Sequence, residues 1–143
     1  MTTATAETLY RTIILTHHRQ PVGFEQLPVP GLSEQALNPL CGDELKLGLA
    51  LDGDRIEAIG FEGRACAICT ASASILCELA RGRSVRQVLE LYRQLDRAWQ
   101  GADPTGCDNE LLAALAAVRT YPVRIQCARM GWDAFFRLAG SVT

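Results

Sequence analysis

The sequence predicts an α+β fold in which a short antiparallel sheet is covered by helices, and three observations carry that prediction. Leu45, Leu47, Leu49 and Leu51 alternate with other residues, which puts four leucines on one face of a strand. Asp52-Gly53-Asp54 then supplies a turn, with residues 55–62 as the returning strand of a hairpin. From residue 67 onward the pattern is helical, and strands followed by a run of helices read as α+β.

Taken in order, Leu9, Tyr10, Ile13 and Ile14 recur at helical spacing over residues 6–18, and Pro21 stops the pattern. Residues 21–39 hold Pro28, Pro30 and Gly31 without a sustained period, which predicts a loop or an irregular edge strand leading to Cys41. The hairpin follows, with Cys41 before its first strand and Cys66 after its second. Antiparallel pairing places both at the same end. Gly63 is expected to break the strand, and the small and apolar residues 67–80 predict a buried helix with Cys66 at its N-terminus. Ser84 with Gln87 matches a capping box for a helix over residues 85–94. Gly101, Pro104 and Gly106 mark residues 100–108 as a loop. Residues 110–118 form a short alanine-rich helix, and a last helix runs from about Pro122, suited to a first turn, to about Gly140.

A length of 143 residues fits one domain, 1–143, with a single core. The chain is 48% hydrophobic and 21% charged, an ordinary balance for a soluble globular protein. Fourteen basic and sixteen acidic residues leave a net charge of −2 with no dense run of lysine or arginine, which argues against nucleic acid as a partner. No apolar run approaches the roughly 20 residues that span a bilayer, and the N-terminus lacks the order of a secretory signal. No membrane association and a cytoplasmic location are therefore expected. Six cysteines are many for this length. In a reducing compartment disulfides do not persist, so metal binding or thiol chemistry explains them better, with some left as small core residues.

Cys41, Asp43, Cys66 and Cys127 are the candidate metal ligands, because thiolates and a carboxylate suit a tetrahedral zinc shell. Cys41 and Asp43 lie two apart across Gly42, so in an extended segment their side chains share a side, and Gly42 adds no bulk. Cys66 at a helix N-terminus sits where the helix dipole favours a thiolate. Cys127 falls in the first turns of the last helix. The spacing matches no compact zinc-finger pattern, and on the residues alone three packed cysteines are an equally good reading.

Three blocks bear on the choice. Asn38-Pro39-Leu40-Cys41-Gly42-Asp43, the stretch from Phe61-Glu62-Gly63-Arg64-Ala65-Cys66 through Ala67-Ile68-Cys69-Thr70-Ala71-Ser72-Ala73-Ser74, and Arg124-Ile125-Gln126-Cys127-Ala128 resemble, in order, the signature blocks of the SufU, IscU and NifU N-terminal family. Leu9, Tyr10, Ile13, Ile14 and His17 also resemble its opening helix, so the likeness covers nearly the whole chain. It implies a SufE/IscU-like fold and a role in iron-sulfur cluster assembly. Gln126 stands where IscU-type scaffolds usually have histidine, and Thr120-Tyr121-Pro122-Val123-Arg124 replaces their Leu-Pro-Pro-Val-Lys-like chaperone segment. Residues 95–119 resemble the insertion of SufU-type members, which favours that branch, although Gln126 and Pro21-Val22-Gly23 depart from its usual basic residue and Pro-Arg-Asn-like segment. The SufU resemblance implies zinc held by Cys41, Asp43, Cys66 and Cys127, with Cys41 accepting persulfide sulfur from a SufS-type cysteine desulfurase in a sulfurtransferase reaction. The alternative it leaves is an IscU-like scaffold on which an iron-sulfur cluster is assembled.

Cys69 completes a C-x-x-C with Cys66, but no βαβ setting supports a redox pair, so a structural role is expected. Cys77 reads as core and Cys107 as incidental in a loop. His17 and His18 are expected to be one packed and one solvated. Trp132, Phe135 and Phe136 are expected in the core of the last helix. Arg81, Arg83 and Arg86 read as a solvated basic face able to help dock an acidic partner.

Overall fold

Residues 6–38, 42–101 and 109–142 are described by the computed structural model. The elements run α1 (Ala6–Arg19), β1 (Leu32–Asn38), β2 (Asp43–Asp52), β3 (Arg55–Arg64), α2 (Ala67–Ala80), α3 (Val85–Trp99), α4 (Glu110–Ala116), a 3-10 turn (Ala117–Thr120), α5 (Pro122–Ala128) and α6 (Met130–Val142). The strands form one antiparallel sheet in the order β1-β2-β3, so the expected α+β architecture is the one observed.

The pleat sends Leu45, Leu47 and Leu49 into the core and Glu44 and Lys46 to solvent. Leu51, the fourth leucine of the alternation, is only half-buried, because the β2–β3 register shifts between Ala50 and Leu51. Leu47 pairs with Phe61 and Leu49 with Ile59, and this apolar face packs under Ile75, Leu76, Trp132 and Phe135 from α2 and α6. On the outer face Gly48 and Gly60 are cross-strand partners. A Cβ on Gly60 would strike the Gln26 carbonyl, and one on Gly48 would lie 2.9 Å from Leu27 Cδ2. The glycine pair thus leaves a trough through which the segment before β1 crosses the sheet, anchored by Phe61 N–H donating to Gly23 O at 2.9 Å.

Several boundaries differ from expectation. β1 is a regular edge strand paired with β2 from Leu32 to Asn38, since the prolines lie before it. Gly63 stays within β3. The Ser84–Gln87 capping box is present, but α3 continues to Trp99 because Leu95, Ala98 and Trp99 are buried and the Trp99 indole donates to Leu115 O at 3.0 Å. The expected last helix is two, α5 and α6, divided at Arg129. Trp132 and Phe135 are fully buried as expected, whereas Phe136 is half-exposed and stacks on Tyr92 with ring centroids 5.1 Å apart. Among the described residues no helix is long and apolar enough to cross a membrane.

Candidate metal centre

The hairpin delivers two site residues to one place. Asp43 opens β2 opposite Asn38, and the next pair, Glu44 with Arg64, brings the end of β3 alongside. Gly63, which precedes Arg64 and pairs with Leu45, has φ 137°, and a Cβ on it would run into the Glu44 carbonyl, so only glycine lets the chain pass this close on its way to Cys66. Cys66 then caps α2 from an extended backbone, its Sγ accepting from the Cys69 N–H at 3.4 Å.

Asp43 is 5% exposed, and its two oxygens differ. Oδ1 accepts from the Cys66 N–H at 3.0 Å, while Oδ2 is buried with no hydrogen-bond partner among the described residues. Cys127, on α5, is also buried, and the ligand atoms of Asp43, Cys66 and Cys127 all lie within 4.8 Å of one another. A buried carboxylate oxygen without a donor is costly unless a positive charge satisfies it, and two thiols at this distance are apt co-ligands, so the donor set fits a zinc ion.

Two contacts hold Cys127 in this position. Ser72 of α2 donates to the Ala128 carbonyl at 2.5 Å and accepts from the Trp132 indole at 3.1 Å, which ties α5 to the helix that Cys66 caps. Arg129, at the α5–α6 junction, donates from Nε to Asp133 at 2.9 Å and from Nη2 to Asp96 of α3 at 3.0 Å, and Tyr92 OH donates to Asp133 at 2.9 Å. Burial works against the Arg129 charge. Asp133, with Asp96 and Tyr92, outweighs it and holds the pKa above the ordinary arginine value. Sequence reasoning missed both residues; the one available signal was a serine within the apolar run of α2.

Of the four expected ligands, three are brought together, and Cys41 lies outside the described residues, as does Cys107. Gly42, just before Asp43, has φ 70°, a left-handed conformation instead of the extended one expected at that residue, and glycine serves it by conformation. Cys69 is buried with its Sγ 3.7 Å from Met130 Sδ, and Cys77 is fully buried, its thiol pushed up to about 12 by desolvation. His17 is packed and His18 exposed. Arg81, Arg83 and Arg86 lie at the far end of the sheet, where Ile56 N–H donates to Arg83 O beside the hairpin turn; Arg83 Nη1 donates to Leu79 O.

A family model, the NifU-like N terminal domain, matches residues 9–128. The chain belongs to that family. It is 33% identical over 132 residues to the zinc-dependent sulfurtransferase SufU of Bacillus subtilis (strain 168), covering 92% of this chain and 89% of the relative. It is 35% identical over 129 residues to the iron-sulfur cluster assembly scaffold protein IscU of Streptococcus pyogenes serotype M1, covering 88% and 79%. The crystal structure of FiSufU from Fervidobacterium islandicum AW-1 superposes with a TM-score of 0.77 at 24% identity, over 92% of this chain and 97% of that one, and supports the fold alone. Membership places the chain in an iron-sulfur cluster assembly family.

Proposed function

We propose that this chain, as a single domain over residues 1–143, is a zinc-dependent sulfur carrier that accepts persulfide sulfur from a cysteine desulfurase of SufS type for iron-sulfur cluster assembly in the cytoplasm. The observation that carries the reading is the convergence of Asp43, Cys66 and Cys127 on one point, with Asp43 Oδ2 left without a donor among the described residues. Cys41 completes the set. Bound zinc supplies a Lewis acid that keeps thiolates deprotonated without redox chemistry of its own.

The transfer itself belongs to Cys41. Its thiolate attacks the outer sulfur of the desulfurase's cysteine persulfide, a new S–S bond forms at Cys41, the donor's S–S bond breaks, and the donor cysteine leaves as a thiolate. One disulfide-level bond is exchanged for another, so no external oxidant or reductant is needed. The Cys66 N–H holds the Asp43 carboxylate in place while Cys41 changes from metal ligand to sulfur acceptor.

The second reading, a scaffold for the cluster itself, is favoured by the identity to the Streptococcus pyogenes IscU. Gln126, in place of histidine before Cys127, weakens it. Incubation with desulfurase and 35S-labelled cysteine tests the carrier reading: the chain gains a thiol-reducible label and Cys41→Ala gains none. Full labelling of Cys41→Ala would refute the assignment, and a visible-absorbing cluster after addition of iron and sulfide would support the scaffold.

A further inference from the structure

A cavity of about 510 Å³ opens beside the chain that leads into Cys66, lined among others by His18, Arg19, Phe24, Arg64 and Thr70. Arg19 ends α1 and Arg64 ends β3, two residues before Cys66, so distant segments bring two guanidinium groups to one hollow. Among the described residues neither guanidinium has a hydrogen-bond or ion-pair partner, and Glu44, the cross-strand neighbour of Arg64, forms no ion pair with it. The chain as a whole carries a net charge of −2, so this is a local reversal of sign. Beside the arginines Pro21 and the partly exposed Phe24 give the hollow an apolar wall.

We propose that this cavity is the docking pocket for an acidic surface segment of the sulfur donor, an aspartate or glutamate flanked by an apolar residue. Guanidinium groups recognise carboxylates through paired, charge-assisted hydrogen bonds, and the apolar neighbour of the carboxylate covers Phe24. Seating it here sets the donor protein against the segment that carries Cys66. The inference rests on the desulfurase reading above, and it assigns to this pocket the docking role that the sequence suggested for Arg81, Arg83 and Arg86.

The test is the rate of the desulfurase as the concentration of this protein is varied. For Arg19→Ala and Arg64→Ala the apparent KM rises about threefold each, the usual scale for an exposed charge. For the double variant Arg19→Glu/Arg64→Glu it rises about tenfold or more, with kcat and zinc content unchanged and the salt dependence of KM weakened. A KM within about twofold of wild type for the double reversal overturns the proposal. So does an equal rise in Arg55→Glu/Arg86→Glu, at the other end of the sheet, which would mean that only overall charge matters. A wild-type chain that fails to stimulate the desulfurase removes the carrier reading and this inference with it, a result distinct from normal stimulation insensitive to Arg19 and Arg64.

Discussion

His17 is 7% exposed, and its Nδ1 lies 2.6 Å from Ser74 Oγ, which also accepts from the Val22 N–H at 2.7 Å. Burial lowers its pKa, and the charge of Glu78, 4.0 Å from Nε2, opposes this only in part. The unfolded chain therefore takes up a proton more readily than the folded one. The stabilisation is complete above the unfolded value near 6.5 and is lost as pH falls from there through the lowered folded value. Accordingly, the urea midpoint of wild type should drop more between pH 7.5 and 5.5 than that of His17→Gln; equal drops would contradict this. Single residues were legible where burial decides: one packed and one solvated histidine, and a core position for Cys77, follow from apolar spacing, while for Cys69 only a structural role was expected, from the missing βαβ setting. Phe136 was not, because its place on the rim is set by Tyr92, a partner on α3 that no local pattern reveals.

At the level of elements, the alternation of leucines and the capping box specify β2 and α3 through purely local chemistry. The break between α5 and α6 falls at Arg129, two residues before Gly131, which lies inside the first turn of α6 and not at the break itself. It arises where Arg129 turns to Asp96 and Asp133, contacts across 33 and 4 residues. The Ser72 link between α2 and α5 is of the same kind, and it bears directly on the metal centre. Replacing Ser72 with alanine leaves the Ala128 carbonyl and the Trp132 indole unpaired, at about 1–3 kcal/mol for each buried group. Because that contact fixes Cys127 relative to Cys66, Ser72→Ala should also bind zinc about tenfold more weakly in competition with a chelator, on the scale of lost supporting hydrogen bonds around metal ligands. Leu95→Ala, a core truncation on α3, should lose comparable stability and keep its zinc affinity. Equal weakening in both would reduce Ser72 to a general stabiliser.

Across the whole molecule, candidate ligands from three separate segments converge. Two were legible as a pair, since a hairpin must return its second strand to where its first began, and Asp43 and Cys66 flank such a hairpin. Cys127 lies 61 residues beyond Cys66, and spacing alone could not place it; the packing of α5 and α6 on α2 does. The resemblance of three sequence blocks supplied that link before any contact was visible. Zinc-edge X-ray absorption of the purified full chain tests the convergence most directly. The account predicts three sulfur neighbours at about 2.3 Å and one oxygen at about 2.0 Å. A zinc shell with fewer than three sulfurs, or protein purified and reconstituted without retaining zinc, would contradict it.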